Sequence, residues 1–322
     1  MYSSLVKYIR GGLVEQEHFG VVVHSSLGYP RSACALTPCS LAIVPNEDTP
    51  DWNATPYFLR SCAKPLQASL IVDYGLNFTP EEIALCCASH AGEEIHVELA
   101  RNLLKRMDLQ ESALKCGLHR PLSKSVPEGE ETIFHNNCVG KHIMMLSLCK
   151  LKDWDLETYY EAGHPLQIAI KEKINALCEV EGDYPVTKDG CGVPIASMPL
   201  WNILRGYLNL FCSYGQIRDA FLNYPYIIGG KDRLDTKIMQ GHRNLIAKVG
   251  AGGLCVVVNL ECEEGFVVKI ADCDMKAREI VVIDTLKTLG WADIPVEREI
   301  KTLHGEVVGE IKTELTNSFA PV

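Results

Sequence analysis

The chain reads as an α+β protein. Strand candidates open it, helical patterns fill the middle, and a run of consecutive strands followed by one helix closes it. Regular strand–helix alternation, the mark of a parallel α/β sheet, does not occur. The composition fits an ordinary globular protein: 322 residues, 47% of them hydrophobic and 22% charged.

Phe19 to Ser25 and Leu41 to Pro45 are rich in β-branched and apolar residues and predict strands. A helix follows from Ser61 to Asp73, with Pro65 tolerated in a first turn whose N–H groups lack partners anyway. Thr79-Pro80-Glu81-Glu82 is a helix start with an N-cap, Pro at the first helical position and Glu at the third. Glu93 to Met107, Gly140 to Lys150 and Leu156 to Val180 carry helical apolar spacing. Ala196 to Tyr214 is apolar nearly all round and predicts a helix inside a core. Asn244 to Val249, Leu254 to Leu260 and Gly265 to Ile270 predict an antiparallel meander, broken by Ala251-Gly252-Gly253 and Glu263-Glu264-Gly265. Met275 to Leu289 is a helix ended by Gly290.

Several classes are excluded. A net charge of −10 without a Lys/Arg run argues against nucleic-acid binding. No apolar run has the length of a membrane span. Met1 to Lys7 lacks a basic region followed by an apolar stretch, so no secretory leader is expected and a cytoplasmic location is. Fourteen cysteines, about 4% of the chain, then read as reduced thiols rather than a disulfide framework. Cys86, Cys87, Cys149, Cys178 and Cys212 lie in apolar helical patterns and are expected to be buried.

Five short segments carry chemistry. Ser61 and Lys64 form a Ser-x-x-Lys pair, which shares one helix face. A neutral amine there can take the serine's proton and activate it for attack on a carbonyl, as in penicillin-binding proteins and class A β-lactamases. Ser89-His90-Ala91-Gly92-Glu93 presents Ser and His between two helices. Asn137-Cys138-Val139-Gly140-Lys141-His142 opens a helix with three reactive side chains. Asp189-Gly190-Cys191-Gly192-Val193-Pro194 is a Gly-rich turn holding Asp and Cys, and Lys248-Val249-Gly250-Ala251-Gly252 ends a strand with Lys and a glycine turn. Singly, each reads more simply as a cap, a core thiol or a turn. Together, Ser-x-x-Lys, a second Ser and a Lys-x-Gly strand end are three parts of a serine acyl-transfer site. Two cysteines with a Lys and a His are suited to a soft or borderline metal such as zinc.

These segments, with Arg10-Gly11-Gly12, Val14-Glu15, His18 and His164-Pro165-Leu166-Gln167, resemble in order those of the Rhizobium etli-type (class 3) L-asparaginases of the asparaginase II family. The resemblance implies a fold similar to serine β-lactamases and penicillin-binding proteins, with an antiparallel sheet and a helical lobe. It implies a single domain over 1–322, its helical lobe at roughly 61–243 inserted in a sheet lobe built by both ends of the chain. It implies hydrolysis of L-asparagine to L-aspartate and ammonia, and a homodimer. By motif, Ser61 and Lys64 are the nucleophile–base pair, Ser89 the second active-site hydroxyl and Lys248 the distal lysine, with Lys269 as runner-up. Cys138, Lys141 and Cys191 match a zinc site, while Arg60, His142 and Asp189 support the site or orient substrate. Zinc would orient the substrate's amino and carboxylate groups or polarise a carbonyl.

Two positions depart from that family pattern. Val139 stands where it has Ser, and Gly252 where it has Glu, removing a hydroxyl near the metal and a carboxylate near Lys248. Two rival readings remain: a related serine hydrolase acting on glutamine, a β-lactam or a peptide, and a non-catalytic zinc- or ligand-binding protein. The second has no need of both Ser61 and Lys64.

Overall fold

The computed structural model describes residues 3–26, 41, 42, 55–123, 127–313 and 315. Its larger sheet takes strands only from the two ends of the chain. From the start come β1 (Ser3–Arg10), β2 (Leu13–Ser26) and β3 (Leu41–Ala42), while β4 (Tyr57–Phe58) belongs to a second, smaller sheet. Residues 43–45 of the second expected strand lie outside the described residues.

The middle of the chain is mainly helical: α1 (Ala63–Asp73), α2 (Pro80–Cys87), α3 (Glu94–Arg106), α4 (Val139–Lys152) and α5 (Pro165–Cys178). Thr79 caps α2 as its sequence predicts, with its side chain accepting from Glu82 N–H while Glu82 accepts from Thr79 N–H. The helix expected over Leu156 to Val180 is shorter than that. Asp155 takes the N–H groups of Glu157 and Thr158 into a turn, and His164 then caps α5 at Leu166 N–H. The helix expected over Ala196 to Tyr214 is instead two elements. Pro199 is extended, so β6 (Pro194–Met198) precedes α6 (Leu200–Ser213), and β6 pairs with β4 and with β5 (Val186–Lys188). Cys212, expected to be buried, is exposed, whereas Cys86, Cys87, Cys149 and Cys178 are buried.

After α7 (Gly215–Asn223), α8 (Pro225–Ile228) and α9 (Leu234–Gly241), the expected meander forms as β7 (Leu245–Gly250), β8 (Leu254–Asn259) and β9 (Glu264–Ile270). Then come α10 (Met275–Thr288), β10 (Glu299–Lys301) and β11 (Val307–Thr313). The sheet runs β10-β11-β1-β2-β9-β8-β7, with β3 against β2, and every pairing is antiparallel.

Both faces of the sheet's centre are covered. On β9, Gly265 abuts Leu204 of α6, while the next residue, Phe266, meets Trp291 just beyond α10. Successive strand residues face opposite sides, so α6 and α10 clothe opposite faces. This accounts for Leu254-Cys255-Val256-Val257-Val258, buried on both sides. In the helical part, α1 is central and is buried from Ala63 to Ile71. Among the described residues no helix is long and apolar enough to cross a membrane.

Candidate active site

Residues Arg60–Cys62 form a tight 3-10 turn that leads into α1. Arg60 sits in the left-handed region at φ 48°, a conformation that raises the energy of a non-glycine residue by about 1–3 kcal/mol. Its Nε donates to Asp189 Oδ1 at 2.8 Å, tying this turn to the Gly190–Gly192 loop. Ser61 follows at the mouth of a cleft, and Lys64 lies one turn deeper, 1% exposed.

Lys64 does not hydrogen-bond Ser61 directly. Its Nζ donates to the carbonyls of Ala88 at 2.6 Å and Asn137 at 2.7 Å, and lies 3.4 Å from Ser89 Oγ. Ser89 Oγ is in turn 2.9 Å from Ser61 Oγ. The result is a chain, Ser61–Ser89–Lys64. Burial holds Lys64 below an ordinary lysine; the Cys138 thiolate opposes this, and Lys141 and Lys248 reinforce it.

The chain exists because three helices converge. Ala88 follows α2, Asn137 precedes α4, and Ser89 is fixed by its N–H to Ile228 O at 3.0 Å. Gly140 is what lets α4 approach α2. A Cβ there would sit 2.2 Å from Leu85 O.

Beside the serines lies a thiol cluster. Lys141 Nζ donates to Cys191 Sγ at 3.0 Å, and Cys138 Sγ lies 3.1 Å from the Asn137 side-chain amide. Cys138 is held well below an ordinary thiol by a hydrogen bond from Cys191, against burial, with help from Lys64 and Lys141. Cys191 is pushed up by that same bond and by burial. For Lys141, burial pulls down, yet the two cysteines outweigh it and raise it. Among the described residues no three His, Cys, Asp or Glu are grouped to hold a metal. The candidate set is two sulfurs and an amine, buried together, a donor set that fits zinc provided Lys141 gives up its proton.

A cavity of about 320 Å³ opens onto both clusters. Ser61, Ser89, Cys138, Cys191, Arg60 and Asp189 all line it. The sequence matches the family model for L-asparaginase II over residues 51–316, most of the chain. The chain belongs to the L-asparaginase II family. No curated protein matches it. Membership supports an asparaginase-type amidohydrolase.

Other residues singled out in this L-asparaginase II chain sit farther back. Lys248 is fully buried on β7, 3.5 Å from Asp235 Oδ2. It is not among the cavity-lining residues, and it reaches Lys64 through its charge. Lys269 is on β9, hydrogen-bonded to Ile270 O and facing Asp272 and Cys273. His142, on α4, is buried with Nδ1 2.5 Å from the Tyr159 hydroxyl, which itself accepts from Lys115 N–H. Gln167 donates to Tyr159 O at 2.7 Å, so the His164–Gln167 segment secures that tyrosine. Gly11 and Gly12 turn β1 into β2, Arg10 pairs with Glu15, and His18 meets Asp272. This amino-terminal segment stabilises the sheet and does not line the cavity.

Sequence reasoning missed Arg233 and Arg278, which do line it, and Asp235, which holds Lys248. Signals existed. Gly229-Gly230-Lys231-Asp232-Arg233 packs glycines and charges into one turn, and Arg278 is a charge on the inward face of α10.

Proposed function

We propose that this protein hydrolyses L-asparagine to L-aspartate and ammonia through a serine acyl-enzyme. It would do so as a Rhizobium etli-type enzyme on a serine β-lactamase-like fold. The observation that carries this reading is the Ser61–Ser89–Lys64 chain opening onto the cavity.

A neutral Lys64 has two N–H donors and one lone pair. The Ala88 and Asn137 carbonyls occupy both donors, which leaves the lone pair for Ser89. Ser61 attacks the side-chain amide carbon. Its proton passes to Ser89, and the Ser89 proton passes to Lys64. The oxyanion that forms requires preorganised N–H donors at the cavity. The Lys64 proton then returns through Ser89 to the leaving ammonia, and water cleaves the ester to release aspartate. Lys248, as the distal lysine, lowers Lys64 further by repulsion.

Cys138, Lys141 and Cys191 would hold zinc, which when bound supplies Lewis acidity beside the substrate. Arg60 and Asp189 shape the cavity wall, and His142 keeps α4 in register with Tyr159. The protein would act as a single-domain cytoplasmic homodimer.

Purified protein should release ammonia from L-asparagine, and well-folded Ser61→Ala should not. Release from glutamine or a peptide alone would transfer the reading to a related hydrolase. Zinc uptake without any amide hydrolysis would make it a binding protein.

A further inference from the structure

Three arginines line the cavity, and they are not equivalent. Arg60 is neutralised by Asp189 at 2.8 Å. Arg233 and Arg278 make no ion pair with any described residue. Arg278, from the second turn of α10, is only 7% exposed. Its Nη1 donates to Gly250 O at 3.0 Å, and its Nε is buried without a partner. Arg233, in the turn before α9, likewise has a buried Nε with no partner. Asp235, the buried carboxylate of that segment, is engaged by Lys248 at 3.5 Å and by Val249 N–H at 3.4 Å.

A buried lysine can shed its proton; a guanidinium cannot. An enclosed, unpaired arginine is therefore a standing demand for an anion. Here Arg278 is such a group, and Arg233, half-buried with its Nε enclosed, reaches the same cavity from the turn before α9. Gly230 makes room for that turn at φ +108°, where a Cβ would lie 2.6 Å from Glu93 Oε2. The planar fork of arginine matches a carboxylate with two parallel hydrogen bonds.

We infer that Arg278 and Arg233 form a carboxylate clamp that binds the α-carboxylate of the substrate. This rests on the asparaginase reading and sharpens it: the enzyme takes free amino acids with an unblocked α-carboxylate, and refuses asparagine inside a peptide chain.

β-Alaninamide is L-asparagine without its α-carboxylate and tests the clamp directly. For Arg278→Met, KM for L-asparagine should rise about 100-fold with kcat within about threefold, because charge-assisted ground-state binding is lost. The kcat/KM for β-alaninamide should be poor in the wild type and unchanged in the variant. Arg278→Lys should recover part of the KM, and Arg233→Met should repeat the pattern if Arg278→Met misfolds. Calorimetry of succinate, a dicarboxylate without an amide, should show binding to the wild type that Arg278→Met weakens. A fall in kcat alone, or equal losses for both substrates, would overturn the clamp. Wild type that releases no ammonia yet binds succinate through Arg278 would overturn the amidase reading and leave the clamp standing.

Discussion

Lys64 and Lys141 are both almost wholly buried, sit at the starts of neighbouring helices and repel one another, yet their fates are opposite. Burial acts on each in the same direction. Lys64 meets two neutral carbonyls and a hydroxyl, so burial prevails and it is held below an ordinary lysine. Lys141 meets two sulfurs, one held as thiolate, and is held above. Depth of burial therefore does not choose between base and cation; the partner does. One site thus holds, side by side, a lysine lowered by burial and a lysine raised by its sulfurs.

The sharpest way to break this comparison is to delete the base. Lys64→Met and Ser61→Ala should each lower kcat by about four orders of magnitude, and the double variant should be little worse than either. Full additivity would mean the two do not act as a unit. Ser89→Ala should match them if the proton travels through Ser89, and near wild-type turnover would remove Ser89 from the route.

The other lysine is tested by metal content. Untagged protein should contain about one zinc per chain, lost in Cys191→Ala and in Lys141→Met. Zinc-free protein that cannot take zinc up would leave Lys141 a purely structural cation.

A pH profile separates the two roles. Lys64 acts only when neutral, so kcat/KM should climb about tenfold per unit as pH rises toward its pKa and then level off. Burial lowers that pKa, so the plateau should arrive below the ordinary lysine value of 10.5. A flat profile from about pH 6 to 10 would exclude a lysine base.

The smallest effect serves as a control. Thr79→Ala removes a helix cap remote from both lysines and should lower stability by about 1 kcal/mol, read as a lower Tm, with kcat/KM unchanged. A comparable loss of activity would show that the other variants act through stability.

Much of this architecture is local and was legible. The β7–β9 meander is written in apolar runs divided by glycines, and the Thr79 cap in four residues. The pairing of β1 with β11 was not, because β11 comes from the far end of the chain and no local pattern records it. The two misread helices failed where side chains compete with the backbone: Asp155 and His164 draw N–H groups into a turn, and Pro199 holds the chain extended. Ser61 and Lys64 stood out through their Ser-x-x-Lys spacing, and Ser89, Cys138, Lys141 and Cys191 because reactive residues in glycine-containing segments are conspicuous. Arg233 and Arg278 did not, since a single arginine in a turn or a helix looks like solvated surface until the fold encloses it. The route from Lys64 through Ser89 was equally hidden, because i, i+3 spacing places two side chains on one face and says nothing of a third that intervenes.

The left-handed backbone at Arg60 limits which neighbours this sequence can explore. Glycine or asparagine would relax φ 48° but discard the ion pair with Asp189. Lysine would keep a charge but lose the guanidinium fork and retain the strain. A conformational demand and a chemical one thus fall on a single codon, and no single substitution meets both. The residue before Ser61 should therefore be among the least tolerant in a saturation library, even though 40% of its side chain is exposed to solvent.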